Sequence, residues 1–380
     1  MTKRLNVLFI AAWYPAASNP VEGIFIREHA LSVNLYDDVR VVHLSNPSRK
    51  GRLWDFREEI DPQLSEGILT YHLTSRRLPV PGLSYLIFLW GILRAFRKLR
   101  KEGFTPDIIH AHIYSAGVAA VILGKIYHVP VVVTEHNSAF QRKDLSPINI
   151  YKARFAFQNA QCVTVVSQSL KKNIEQYHIK SNFMVIPNAV DLTQFYYDQS
   201  KTIHDPPKII FVGSLIPRKG LDFLLPALER IKDRPWKLDI IGDGPSKFKY
   251  EELSKSLNLN SRIRFLGYQA HASVSEFMRQ ADLIVSSSLS ENQPCVLLEA
   301  QACGLPIIGT NVGGIPEIIY PGSGWLAQPG DIASLANALS IALEQILIID
   351  RKEISNIAKK YSLSNVGLNF HNLYEELLKW

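Results

Sequence analysis

Short apolar runs rich in β-branched residues recur along the chain, and longer stretches with apolar positions every three or four residues lie between them. Asn6–Ala11, Val39–Leu44, Ile108–Ala111, Val129–Thr134, Cys162–Val166 and Phe183–Ile186 read as buried strands in the first half. Tyr85–Glu102 and Leu170–Gln176 carry the helical period. The grammar then restarts with Lys208–Val212, Lys237–Ile241, Ile263–Leu266, Leu283–Ser286 and Pro306–Thr310. Such alternation predicts parallel sheets in an α/β fold. Between the two sets, Tyr196–Pro207 (YYDQSKTIHDPP) is polar, aperiodic and ends in two prolines, so it reads as a linker. The expectation is two doubly wound, Rossmann-like domains, 1–195 and 196–362, with a cleft between them. The tail 363–380 is helical by pattern, with Leu368, Leu373, Leu377 and Leu378 as apolar positions, and is expected to pack back on the first domain.

Composition narrows the class without choosing a function. A chain of 380 residues suits two cores rather than one. With 47% hydrophobic and 20% charged residues it is neither disordered, collagen-like nor a coiled coil. Lys plus Arg exceeds Asp plus Glu, 42 − 35 = +7, which suits a phosphate-bearing substrate or an anionic membrane face equally. Three cysteines, Cys162, Cys295 and Cys303, with no CxxC pair, exclude a disulfide framework or zinc ribbon. Leu5–Tyr14 behind Lys3 and Arg4 imitates a signal peptide, but Asn6 and the Trp-Tyr-Pro ending favour a first strand. The longest uncharged apolar run, Leu78–Leu93, is broken by Pro79, Pro81 and Gly82 and falls short of the ~20 residues of a spanning helix. A cytoplasmic location, including the inner face of a membrane, is therefore expected.

In open parallel sheets, ligands bind beyond the carboxyl ends of the strands, so the chemistry is sought there. No GxxxxGK[ST], GxGxxG or HExxH is present, which argues against a P-loop enzyme, a dinucleotide dehydrogenase and a metalloprotease. His110-x-His112 lacks an acidic or thiol partner at a supporting spacing, so no metal is predicted. Ser286–Glu317 is the informative stretch: strand, polar loop, a helix opened by Pro294 and closed by Gly304. Glu291 and Glu299 flank that helix start, where the dipole and backbone N–H groups suit a phosphate and a carboxylate suits sugar hydroxyls. The plainer alternative is a Glu that complements the dipole and a solvated Glu299. In Phe211–Gly220 the cations Arg218 and Lys219 precede a helix start, a position unfavourable for them unless an anion compensates. A solvated basic turn is the alternative.

These motifs, in this order, resemble a retaining glycosyltransferase of family GT4 with the GT-B fold. The resemblance rests on the E-x7-E pair Glu291 and Glu299, with LLEAQACGLPII and NVGGIPE following it. It rests also on IGDGP (Ile241–Pro245), FLGY (Phe265–Tyr268), RKG (Arg218–Gly220), IPNAVD (Ile186–Asp191) and IIHAH (Ile108–His112). It implies that Glu291 contacts the donor sugar, Glu299 the ribose, and Arg218 with Lys219 the diphosphate. His112 would face the transferred sugar and Gly23 would approach the phosphates. Gly213, Asp243, Gly244, Gly267, Tyr268, Gln293, Cys295 and Val296 complete the implied donor site, and Glu135, His136 and Asn137 the implied acceptor side. Three places depart from the family pattern: Gln293-Pro294 stand for Phe-Gly, Ser214 for Arg, and Glu22-Gly23 for Gly-Gly.

The implied reaction moves a sugar from a nucleotide diphosphate sugar, a UDP-sugar first and GDP-mannose next, to a glycan or lipid-linked acceptor. It implies surface polysaccharide or glycolipid synthesis, needs no cofactor, and involves no nucleic acid. The helix Tyr85–Glu102 turns basic at Arg94, Arg97, Lys98, Arg100 and Lys101, which suits an anionic membrane or a plain core helix with cations at its end. A non-catalytic nucleotide-sugar-binding subunit, an epimerase of similar scaffold and a phosphorylase are the rival readings.

Overall fold

The computed structural model describes residues 4–16, 19–48, 54–59, 67–76 and 83–379. Lys3 and Leu78–Gly82 lie outside them. The chain divides into two compact units, Met1–Ala189 with Leu363–Trp380, and Val190–Ser362. The boundary thus falls six residues before the expected 195/196. The reason is packing: Val190 and Phe195 are buried in one cluster with Ile210, Val274 and Met278 of the second unit.

The first unit runs β1 (Asn6–Ala11), α1 (Ile24–Asn34), β2 (Asp38–Ser48), β3 (Trp54–Glu59), β4 (Thr70–Arg76), α2 (Leu83–Lys101) and β5 (Ile108–His112). It continues α3 (Tyr114–Tyr127), β6 (Val131–Glu135), α4 (Ala139–Arg142), α5 (Pro147–Asn159), β7 (Cys162–Val165), α6 (Gln168–Glu175) and β8 (Phe183–Val185). Its sheet has the order β3-β4-β2-β1-β5-β6-β7-β8, parallel except for the antiparallel β3–β4 pair. Alternation along β1 builds both faces: Leu8 and Ile10 join the core with Phe96 and Val121, whereas Val7, Phe9 and Ala11 join Ile26, Ala30 and Phe370. β3, β4 and the edge strand of the second sheet escape sequence reading. WDFREE and TYHLTSR are polar, as strands at a sheet margin can be, and offer no apolar run.

The second unit runs β9 (Lys208–Val212), α7 (Leu221–Arg230), β10 (Lys237–Ile241), α8 (Lys247–Ser256), β11 (Ile263–Gly267), α9 (His271–Gln280) and β12 (Leu283–Ser286). Then come α10 (Cys295–Ala302), β13 (Ile307–Thr310), α11 (Ile315–Ile318), β14 (Gly324–Ala327), α12 (Ile332–Gln345) and α13 (Arg351–Ala358). All its strand pairs are parallel, in the order β11-β10-β9-β12-β13-β14. The chain then returns to the first unit as α14 (Leu363–Leu378), packed along α1. Gly367 makes that crossing close, since a Cβ there would stand 2.0 Å from the Ser32 carbonyl oxygen. In each sheet the strand order reverses at one point, between β1 and β5 and between β9 and β12. Those carboxyl ends are where a ligand-binding crevice is expected. Among the described residues, no helix is long and apolar enough to cross a membrane.

Candidate active site

Both informative stretches of the second unit meet at its reversal point. β9 ends at Val212, and the chain passes through a 3-10 turn, Pro217–Lys219, into α7. Gly220 closes that turn with φ +73°, and a Cβ on it would lie 1.9 Å from the Ser287 carbonyl oxygen. Only glycine lets the turn press against the end of β12. The Ser287 hydroxyl donates to the Lys219 carbonyl at 2.9 Å, and the Leu289 N–H donates to the Arg218 carbonyl at 2.8 Å. The basic turn is thereby stitched to the loop after β12.

That stitching places Lys219 beside Glu291. Lys219 Nζ donates to Glu291 Oε1 at 2.5 Å, and the Ser288 hydroxyl donates to the same oxygen at 2.9 Å. Ser288 is itself held from behind, its carbonyl accepting from the Thr310 hydroxyl at 2.5 Å. Arg218 donates to the Ser290 carbonyl at 3.3 Å. Glu291 is 8% exposed, so the carboxylate is a buried group with a cation and a hydroxyl, not a solvated face. Lys219 is likewise not a solvated basic turn, its side chain being 18% exposed.

Glu299 lies on the second turn of α10, also 8% exposed, and pairs with His271 Nε2 at 2.9 Å. The His271 ring rests against Phe195, centroids 5.0 Å apart. Ser288, Thr310 and His271 were not legible as site residues. The signal for His271 was a polar residue opening a helix just beyond a strand end. Gln293 is buried, Cys295 and Val296 half-buried, and Pro294 caps α10 with φ −71°. Gly213, Asp243, Gly244 and Gly267 sit at the adjoining ends of β9, β10 and β11: the Gly213 N–H reaches Ile241 and the Gly242 N–H reaches Gly267. Asp243 accepts from the Gly244 N–H at 2.7 Å, and Tyr268 stands exposed beside them.

The first unit presents histidines at its own reversal point. His112 ends β5, and Ile113 follows with φ +75°, strained for a β-branched residue, so the chain turns sharply there. His112 Nδ1 faces His136 Nε2 at 3.2 Å, and burial pushes both pKa values well below the usual imidazole range. His110, its neighbour in sequence, is otherwise engaged, with Tyr374 and Thr134 hydroxyls at 2.6 Å each. Gly23 has φ +70° ahead of α1, and a Cβ there would meet the Trp13 carbonyl at 2.6 Å. Of the residues implied for the acceptor, Glu135 is fully buried. It accepts from the backbone N–H groups of Tyr114, His136 and Asn137 at 2.9, 2.8 and 2.7 Å, and burial raises its pKa to about 7. Asn137 accepts from the Ala139 N–H at 2.9 Å. These two side chains therefore build the loop, and His136 is the one of the three that faces other side chains of the site.

Comparison with known proteins decides the family. A profile described as "Glycosyl transferases group 1" matches residues 193–361, and "Glycosyltransferase Family 4" matches residues 33–194. An uncharacterized glycosyltransferase of Methanocaldococcus jannaschii is 31% identical over 303 residues, 78% of this chain and 82% of the relative. The chain belongs to glycosyltransferase family 4. A human phosphatidylinositol N-acetylglucosaminyltransferase component is 30% identical over 325 residues, 83% of this chain and 66% of that protein. Among solved structures, Anabaena HepE in complex with UDP superposes with a TM-score of 0.77 at 19% identity, covering 98% of this chain and all of that one. The fold of this glycosyltransferase is accordingly GT-B, and the molecule is a transferase enzyme.

Proposed function

We propose that the enzyme transfers a sugar, with retention at the anomeric carbon, from a nucleotide diphosphate sugar to a hydroxyl of a glycan or lipid-linked acceptor. UDP is the favoured carrier and GDP-mannose the next. The observation that carries this reading is the Lys219–Glu291 pair, which joins a basic turn and a buried carboxylate at the reversal point of the second sheet.

Charge on the departing diphosphate is the main electrostatic problem. Arg218 can meet two of its oxygens and Lys219 a third as a point charge, so this step is proposed to need no metal ion. Glu291 contacts the donor sugar. Glu299, oriented by His271, takes the ribose hydroxyls, while Gly267 and Tyr268 border the base. The bond from the anomeric carbon to the phosphate oxygen breaks as the bond to the acceptor oxygen forms on the same face. The acceptor's proton passes to the departing phosphate oxygen. The roles that resemblance assigns to Gly23 and His112 remain part of the proposal.

A lipid-linked acceptor is supported by α2. One side of it is core, with Ile92, Phe96 and Leu99 buried; the other exposes Leu86 and Trp90 beside Arg97, Lys98 and Lys101. A depression of about 490 Å³ runs among Trp90, Arg94, Arg97, Lys98 and Lys101. Amphipathic and basic, that side suits an anionic lipid surface. The human relative's name likewise joins a sugar to a phospholipid. Surface polysaccharide or glycolipid synthesis is the proposed setting.

Thermal melting with UDP, GDP and ADP tests the donor. At ~100 times its dissociation constant the right nucleotide adds roughly 2.7 kcal/mol of stability. Glu299→Gln reduces that gain. Donor consumption only in the presence of acceptor separates a transferase from an epimerase, and no shift with any nucleotide rejects the donor site.

A further inference from the structure

Three histidines far apart in sequence converge in the first unit. His29 on α1, His112 at the end of β5 and His136 just past β6 each offer one ring nitrogen, and the three atoms lie within 4.8 Å of one another. His29 is fully buried on the apolar side of α1, between Ile26 and Ala30. Its Nε2 faces the Pro187 carbonyl at 3.1 Å, and only a protonated nitrogen can bond a carbonyl, so Nδ1 carries the lone pair. That Nδ1 is buried without a hydrogen-bond partner.

We propose that His29, His112 and His136 form a three-imidazole site for a transition-metal cation of the zinc class. A hydrogen bond from His29 to a backbone carbonyl is the usual outer-shell support of a metal-bound imidazole, and it aims Nδ1 at the ion. The 3.2 Å between His112 Nδ1 and His136 Nε2 matches the edge of a tetrahedron of nitrogens about 2.0–2.1 Å from Zn²⁺, which is about 3.3 Å. Nitrogen-only donors favour Zn²⁺, Co²⁺ or Ni²⁺ over Mg²⁺ or Ca²⁺. An N–H···N bond between His112 and His136 alone accounts for that pair but leaves His29 Nδ1 unmatched. Three protein ligands leave a fourth position for water or an oxygen of a bound molecule. His112 is also proposed to face the transferred sugar and His136 stands on the implied acceptor side, but an ion can bind these rings with no donor present. Its test therefore reads binding rather than turnover.

The full chain is stripped with chelator, exchanged into metal-free buffer and titrated with Co²⁺, with visible ligand-field absorption and metal content as readouts. One ion per chain is expected, displaced by Zn²⁺, with a rise in melting temperature on Zn²⁺ addition. His29→Ala and His136→Ala should each weaken binding by about tenfold or more. Should His29→Ala fail to fold, His136→Ala, nearer the surface, carries the comparison. Wild-type protein that retains no ion and whose melting does not move overturns the proposal. Equal stoichiometry and spectrum in the folded variants overturns it as well.

Discussion

Lys219 shares a buried contact with Glu291, so removing its ammonium acts on two things. Lys219→Ala takes away a cation proposed for the leaving group, and a loss of about 10²–10³ in turnover is expected, the size seen when one preorganised electrostatic donor is removed. The same change leaves Glu291 with the Ser288 hydroxyl but no cation, at about 1–3 kcal/mol in stability. Circular dichroism melting beside donor kinetics separates the two, and near-normal turnover removes the clamp assignment. His43 carries a different prediction. Burial first, then neighbouring His72, lowers its pKa to about 3, so the folded chain holds it neutral while the unfolded chain protonates it near 6.5. Its contribution is whole above pH 6.5 and is lost as pH falls toward 3, about 2 kcal/mol less at pH 5 than at pH 7. Denaturant titrations at both pH values check this, with His43→Leu expected to flatten the wild-type difference by that amount.

At the scale of elements, central strands were legible because burial on both faces demands unbroken apolar runs, as NVLFIA and KIIFV are. Margin strands carry no such demand, which is why the polar β3 and β4 were not, while β14, Gly-Trp-Leu-Ala, is too short a run to stand out. The site divides the same way. Glu291, Arg218 and Lys219 were legible since a charge beside a strand end and a helix start needs a reason. His29 was not, for a histidine within an apolar helix face reads as core, and His110 drew notice for a spacing its own hydrogen bonds make irrelevant. α14 offers the test at this scale. It contributes Val366, Phe370, Leu373 and Tyr374 to the core shared with α1, and its His371 meets Asp37 at 2.9 Å. Truncation after Ser362 therefore removes part of the first unit's core, not a tail. We expect loss of cooperative unfolding in that unit and binding of a hydrophobic dye, while a chain truncated after Leu378 behaves as wild type.

At the scale of the molecule, the second unit is one continuous segment with its own sheet and two core clusters. Every residue proposed to grip the nucleotide's base, ribose and leaving-group charge belongs to it, except Gly23. Residues 190–362 produced alone should fold and keep the nucleotide-dependent rise in melting temperature, but show no transfer. Calorimetry of the fragment with the nucleotide that shifts the full chain decides this. Binding absent from a folded fragment would assign the first unit a larger share of the donor than Gly23.

The return of the chain to α1 also sets an order of assembly. The first unit has 189 residues in hand when its sheet is complete, yet its closing helix begins only at Leu363. A ribosome must make a further 173 residues, 362 − 189, before that helix begins, which takes about 10–35 s at ordinary elongation rates. The second unit, contiguous and finished by Ser362, is free to fold inside that interval. The usual head-to-tail sequence of domain maturation is thereby inverted, and the nascent first half waits with the apolar side of α1 uncovered, a natural client for a ribosome-associated chaperone.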